Sequence, residues 1–164
     1  MEIIQLKNIT KKYKDKVIFS DVNLTIPSSS FTVLMGESGS GKTTLLNIMG
    51  GLEPQTSGEV IIEQKNLKNF NARKRTDFYR HEVGLIFQGS YLLTLFENIS
   101  LPGVFAKMPR AERDQRVREL AKDLGISEVL NNLPSQVSGG QAERACIARA
   151  LLLNPKIILA DEPT

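Results

Sequence analysis

The spacing of hydrophobic positions changes along the chain. Ile3-Ile4-Gln5-Leu6 alternates in part and Val22-Asn23-Leu24-Thr25-Ile26 alternates fully, the two-residue period of a half-buried strand. Asp15 and Lys16 lie between short β-prone pieces and suit a hairpin turn. Phe31-Thr32-Val33-Leu34-Met35 is an apolar run closed by Gly36, which predicts a buried strand. A Gly/Ser-rich loop follows, and then a helix from about residue 42 to 49, stopped by Gly50-Gly51. Residues 58–63 and 83–87 are further strand candidates. From about Gly89 the pattern is helical. Pro109 stands where a first-turn proline is tolerated, and Ala111, Val117, Leu120, Ala121 and Leu124 make an apolar stripe. Gly125 sits just past that helix, where a left-handed residue is usual. A second helix is predicted over 139–153, ended by Asn154-Pro155, with a strand over 156–160.

Strands around a loop-helix unit, then a helical insertion, then another strand, predict an α/β fold with a mostly parallel core. A length of 164 residues suggests one domain. The 41% hydrophobic content is slightly below an ordinary globular mix, 24% of residues are charged, and no segment is biased enough to argue disorder. With 21 Lys+Arg against 18 Asp+Glu, the net charge of +3 is too mild to imply nucleic acid. The 1 Cys excludes a disulfide framework and fits a reducing compartment. No apolar run approaches the ~18–20 residues of a membrane span, and the Met1-Glu2-Ile3-Ile4 start does not read as a signal peptide. A soluble, cytosolic protein is the expectation.

The strongest chemical feature is Gly36-Glu37-Ser38-Gly39-Ser40-Gly41-Lys42-Thr43, a complete G-x-x-x-x-G-K-[ST] phosphate loop, followed by Thr44. Its glycines let the backbone curl until successive N–H groups point inward, forming an anion nest at the positive end of a helix. Lys42 can then reach the β- and γ-phosphates, and the Thr43 hydroxyl can ligate Mg²⁺. A second feature is Ile157-Ile158-Leu159-Ala160-Asp161-Glu162, an apolar strand ending in two carboxylates. Asp161 would hold Mg²⁺ and Glu162 could polarise an attacking water, although an acidic pair is also the ordinary solvated end of a strand. A third is Val137-Ser138-Gly139-Gly140-Gln141. Ser138 and Gln141 have capping-box spacing, so a plainly capped helix accounts for them. Two glycines in a first turn are nonetheless poor helix formers and leave N–H groups bare, a second surface suited to phosphate.

The phosphate loop, then Ser138-Gly139-Gly140-Gln141, then Ala148-Arg149-Ala150-Leu151 and an apolar strand ending Asp161-Glu162-Pro163-Thr164 resemble the ATP-binding cassette (ABC) family in motif and order. The resemblance covers the whole chain and implies a P-loop NTPase core, an antiparallel N-terminal β subdomain and a helical insertion. Residues 1–89 and 138–164 would form the core with its β subdomain, and about 90–137 the helical part. It also implies that Tyr13, 23 residues before Gly36, stacks on adenine, and that Gln88 approaches Mg²⁺ and the water. Residues Gly36 to Thr44 would bind the phosphates, while Ser138, Gly139, Gly140 and Gln141 would contact the γ-phosphate held by an opposing subunit. The cofactors implied are ATP and Mg²⁺. The partners implied are a second cassette, as a homodimer, and a transmembrane permease, which places the chain in the cytoplasm on the inner face of the membrane. Leu46-Asn47-Ile48-Met49-Gly50-Gly51-Leu52-Glu53, Thr56-Ser57-Gly58-Glu59 and Glu97-Asn98-Ile99-Ser100-Leu101-Pro102 are most similar to the lipoprotein-release and macrolide or antimicrobial-peptide export group.

The family pattern is not matched everywhere. Val137 stands where Leu is commoner, and Pro27-Ser28-Ser29-Ser30 replaces a Gly-containing turn. The resemblance implies an aspartate-bearing loop, a core strand and a switch histidine after Thr164, so the 164 residues are expected to be the N-terminal majority of a cassette with little turnover. The single His81 precedes Gln88 and is expected at the surface, and Cys146 is expected to be a small packed side chain. Besides the transporter reading, a non-hydrolysing fragment and a soluble ABC ATPase remain open. Ser138 stands only 102 positions after Gly36, without sustained heptads between them, which disfavours the chromosome-maintenance type; no nucleic-acid partner is expected.

Overall fold

The structure, a computed structural model, describes residues 1–87 and 93–161. The chain divides into two units, Met1–Asp77 and Phe78–Thr164. In the first unit, β1 (Glu2–Tyr13) and β2 (Lys16–Pro27) form an antiparallel hairpin closed by Lys14 and Asp15. β3 (Ser57–Ile62) pairs with the other side of β1, and β4 (Lys65–Asn66) completes a sheet of order β2-β1-β3-β4. The turn between β3 and β4 has Glu63 and Gln64 both at positive φ, the geometry whose twist suits a two-residue hairpin. This is the antiparallel β subdomain, and α1 (Lys42–Met49) belongs to the same unit.

The partial alternation in β1 has a structural cause. Ile4 and Leu6 are buried, and a strict two-residue period would next bury Asn8. Instead the β1–β3 register shifts between Lys7 and Thr10, Asn8 takes φ 50, and Ile9 becomes fully buried. A bulge of this kind inserts a residue and turns the following side chains to the other face. Opposite it, Gly58 has φ +96, and a Cβ there would lie 2.5 Å from the Asn8 carbonyl oxygen and 2.6 Å from that of Lys7. Only glycine fits so close an approach of two backbones.

In the second unit, β5 (Val83–Ile86) and β6 (Ile157–Ala160) form a parallel pair, from Val83 opposite Ile157 to Ile86 opposite Ala160. Parallel strands need a long crossover, and among the described residues the chain between them carries three α-helices. These are α3 (Leu95–Phe105), α4 (Arg110–Asp123) and α5 (Gly139–Leu151). Leu95 and Ile99 of α3, Val117, Leu120 and Ala121 of α4, and Ala145 and Ala148 of α5 share one core with Ile126 and Leu152. A Cβ on Gly84 would lie 2.6 Å from the Ala150 carbonyl oxygen, so α5 approaches β5 directly. The remaining helix, α2 (Ala72–Glu82), contains the division between the units and buries none of its residues.

Most predicted elements are present within two residues: α5 ends at Leu151, β6 begins at Ile157, and Pro109 is the N-cap of α4. The predicted strand Phe31-Thr32-Val33-Leu34-Met35 is the clear correction. It has no strand assignment, and Phe31 and Met35 are 94% and 90% exposed. A strand is made by its ladder, and among the described residues neither sheet offers that segment a neighbour. The mostly parallel core is, among the described residues, the two-stranded β5–β6 pair. Exposed His81 and half-buried Cys146 match expectation.

Replacing Gly58 by Ala should destabilise the fold by about 3 kcal/mol, from a strained φ combined with a backbone collision. Urea unfolding followed by circular dichroism measures it, and a change within experimental error would show that the bulge relaxes freely.

Candidate phosphate-binding site

The phosphate loop joins the exposed segment before Gly36 to α1. Its curl comes from Gly39 at φ +78 and Gly41 at φ +93. Gly41 is also the N-cap of α1, and a Cβ there would lie 2.8 Å from Ile18 Cγ2 and 2.9 Å from Phe19 Cδ1 of β2. A glycine N-cap has no side chain to accept from the first turn of the helix, no side-chain cap is made, and no acidic residue stands in that turn. The positive end of α1 therefore carries no capping side chain that would compete with an anion. The Ser40 N–H donates to the Glu37 carbonyl at 3.2 Å, which tightens the loop from within.

Lys42 is the first residue of α1, and its side chain turns back over the loop. Its ammonium donates to the carbonyl oxygens of Gly36 and Glu37, both at 2.8 Å. The cation thus rests at the centre of the loop on neutral acceptors rather than on a carboxylate. An incoming phosphate can replace those two acceptors with charged ones, and charge-assisted hydrogen bonds are the stronger kind. Thr43 is exposed and Thr44 half-buried in the same turn. Glycine nest, uncapped helix and a cation held on two carbonyls together fit a phosphate chain.

Tyr13, at the end of β1, is drawn into the same neighbourhood. Its hydroxyl donates to Glu53 Oε1 and is also hydrogen-bonded to the Thr44 side chain. Glu53 in turn pairs with the Lys11 ammonium at 2.7 Å, and that ammonium lies 4.7 Å from the centroid of the Tyr13 ring. Glu53 is held below the usual carboxylate range, first by the hydrogen bond from Lys11 and then by that from Tyr13. The Tyr13 phenol is pushed above its usual range, chiefly because ionisation would break its hydrogen bond to Glu53, with burial and the carboxylate charge adding to it. The Lys11–Glu53 pair could not have been read from sequence, because its members stand 42 positions apart and neither carries a motif.

In the second unit, Ser138 caps α5 as its spacing predicted. Its Oγ accepts from the Gln141 N–H at 3.2 Å, and Gln141 Oε1 accepts from the Ser138 N–H at 2.9 Å. Between them Gly139 and Gly140 are exposed, and a Cβ on either would meet nothing within 4 Å. Packing therefore does not demand glycine at either position, and the bare backbone faces open space. Asp161 follows β6, half-buried, with its N–H donating to the Ile86 carbonyl at 3.2 Å. The structure thus brings Tyr13 to the phosphate loop and Asp161 to the end of the parallel pair. Gln88 and Glu162 lie outside the described residues.

Because the raised Tyr13 phenol is stabilised in its neutral form, its contribution holds below the ordinary tyrosine range and is lost as pH rises through the raised value. Near-ultraviolet titration should show a phenol ionising late, absent in Tyr13→Phe and shifted downward in Glu53→Gln. An unshifted phenol in Glu53→Gln would disprove the hydrogen-bond origin.

Residues 19–164 match the family model described as ABC transporter. A macrolide export ATP-binding/permease protein of Campylobacter jejuni is 41% identical over 99% of this chain and 26% of its own length. A methionine import ATP-binding protein of Clostridium acetobutylicum is also 41% identical, over 99% of this chain and 51% of its own length. The chain thus spans between a quarter and about half of these relatives. Among solved structures, the ATP-binding cassette MJ0796, a dimer in a post-hydrolysis state bound to ADP and phosphate, superposes with a TM-score of 0.89. It shares 41% identity over 99% of this chain and 75% of that one. With the phosphate loop, capped glycine turn and acidic strand end in the family's order, the chain belongs to the ABC transporter ATP-binding family.

Proposed function

We propose that this chain binds ATP with Mg²⁺ and is the ATP-binding part of an ABC transporter, whose cassette dimer couples ATP binding and hydrolysis to transport. The observation that carries the reading is the Lys42 ammonium resting on the Gly36 and Glu37 carbonyls beside an uncapped helix start. In this reading the loop N–H groups and Lys42 hold the β- and γ-phosphates, with Thr44 in the same turn and Tyr13 against the base. The Thr43 hydroxyl, Asp161 and Gln88 would hold Mg²⁺, which when bound neutralises charge on the phosphates. Glu162 would polarise the attacking water, and Gln88 would approach that water and couple the site to the membrane partner. The core of 1–89 and 138–164 and the helical part of about 90–137 follow the family division.

Ser138, Gly139, Gly140 and Gln141 would meet the γ-phosphate of a second cassette, most simply another copy of this chain. Nucleotide that bridges two subunits stabilises the pair by mass action, and hydrolysis releases it. A membrane permease would receive that motion, with the cassette peripheral on the inner face. Among the described residues no helix is long and apolar enough to cross a membrane. Export is favoured by the motif resemblance rather than by overall identity, since an import relative matches equally well.

Lys42→Ala should weaken ATP binding by well over tenfold, because a charge-assisted contact to phosphate contributes about 1.5–3 kcal/mol and that cation is central to the loop. Isothermal titration with ATP and Mg²⁺ measures it. Wild-type affinity in the variant would refute the nucleotide assignment.

A further inference from the structure

The Lys11–Glu53 pair is the most buried charged feature of the first unit that the phosphate-loop reading leaves unused. Lys11 is only 6% exposed, although it sits on a strand near a surface tyrosine. An amine so enclosed needs partners on every side, and it has them. It donates to the Pro54 carbonyl at 2.7 Å, pairs with Glu53 at 2.7 Å and lies over the Tyr13 ring. Buried ion pairs contribute little net stability relative to apolar residues of the same size, because both charges lose their water. A stability role therefore explains the pair poorly, and its geometry is better matched to positioning.

That geometry restricts one side chain. Tyr13 is held at its hydroxyl by Glu53 and Thr44, and at one ring face by the Lys11 cation. An exposed tyrosine normally samples several staggered rotamers. Here the far end and one face are fixed, while 45% of the residue stays accessible. The side of the ring opposite the cation is where a flat aromatic group would stack. A cation over one face also draws electron density from the ring, which favours stacking of an electron-rich base on the other.

We propose that Lys11 and Glu53 are positioning residues for nucleotide-base recognition, presenting Tyr13 in one orientation with one free face. The inference rests on the reading that Tyr13 meets the base. It predicts that the pair affects only the part of the affinity that comes from the base and leaves the phosphate part alone. Sequence spacing gives no hint of this, since Glu53 reaches Tyr13 only through the packing of the segment after α1.

The test compares ATP with inorganic tripolyphosphate, both with Mg²⁺, by calorimetric titration of the chain. The ratio of their affinities isolates the base. Tyr13→Ala should collapse that ratio, and if it does not, the base-stacking reading itself fails. Given that collapse, Glu53→Gln and Lys11→Gln should each lower the ratio about fivefold, the scale of one cation–π contact, with tripolyphosphate affinity unchanged. Lys11→Arg, which keeps a cation over the ring, should retain the wild-type ratio. Tyr13→Phe, which keeps the ring but frees it from Glu53, should fall between wild type and Tyr13→Ala. An unchanged ratio in Glu53→Gln would overturn the proposal. So would a parallel loss of both ligands in Glu53→Gln and Lys11→Gln, the signature of a structural role only.

Discussion

A chain of phosphates in water already has excellent hydrogen-bond donors around it. A protein competes only by holding donors in place that have nothing better to do. The start of α1 meets that requirement through what it lacks. Gly41 supplies no side-chain acceptor and the first turn carries no acid, so no capping side chain competes with an incoming anion there. The left-handed angles at Gly39 and Gly41 aim the loop without adding side-chain bulk. Lys42 completes the device by resting on carbonyls that it can leave.

The start of α5 shows the other way of treating the same end of a helix. There Ser138 and Gln141 close a reciprocal capping box, which satisfies two backbone donors internally. What stays bare is the pair of glycines between them, with open space where side chains would stand. One helix start is thus emptied to receive a ligand, and the other is fixed in shape while keeping a flat backbone surface. A surface of that kind suits contact with something that arrives already organised. The difference follows from the capping residue: glycine at 41, serine at 138.

Legibility in the sequence followed the range of the forces involved. The phosphate loop, α1, α4 and α5 were readable because glycine placement, capping spacing and apolar stripes act within a few residues. α3 is legible only as part of a generally helical stretch, because Pro102 stands inside it and blurs its bounds, although Thr94 and Glu97 form a capping box at its start. α2 escaped notice because it buries none of its residues and so shows no stripe. The run Phe31 to Met35 departs from its pattern for a different reason. Its composition is that of a strand, but a strand exists only with a neighbour, and neighbours are decided elsewhere in the chain. The bulge at Asn8 belongs between these cases. Broken alternation in β1 was visible, while its cause, a glycine 50 residues later, was not.

The same distinction explains why motif reading finds the phosphates more readily than the base. Phosphate is held by backbone, and backbone curvature is written locally in glycines. A flat base is held by a side-chain face, and a face has to be aimed. Aiming Tyr13 takes contacts from Thr44 in α1, from Glu53 after it, and from Lys11 two residues earlier on β1. Each of those residues alone is an unremarked polar side chain, and Lys11 becomes informative only through its burial. A buried cation that leans on an exposed aromatic ring is costly to keep, so its presence directs attention to what the ring does with the face left free.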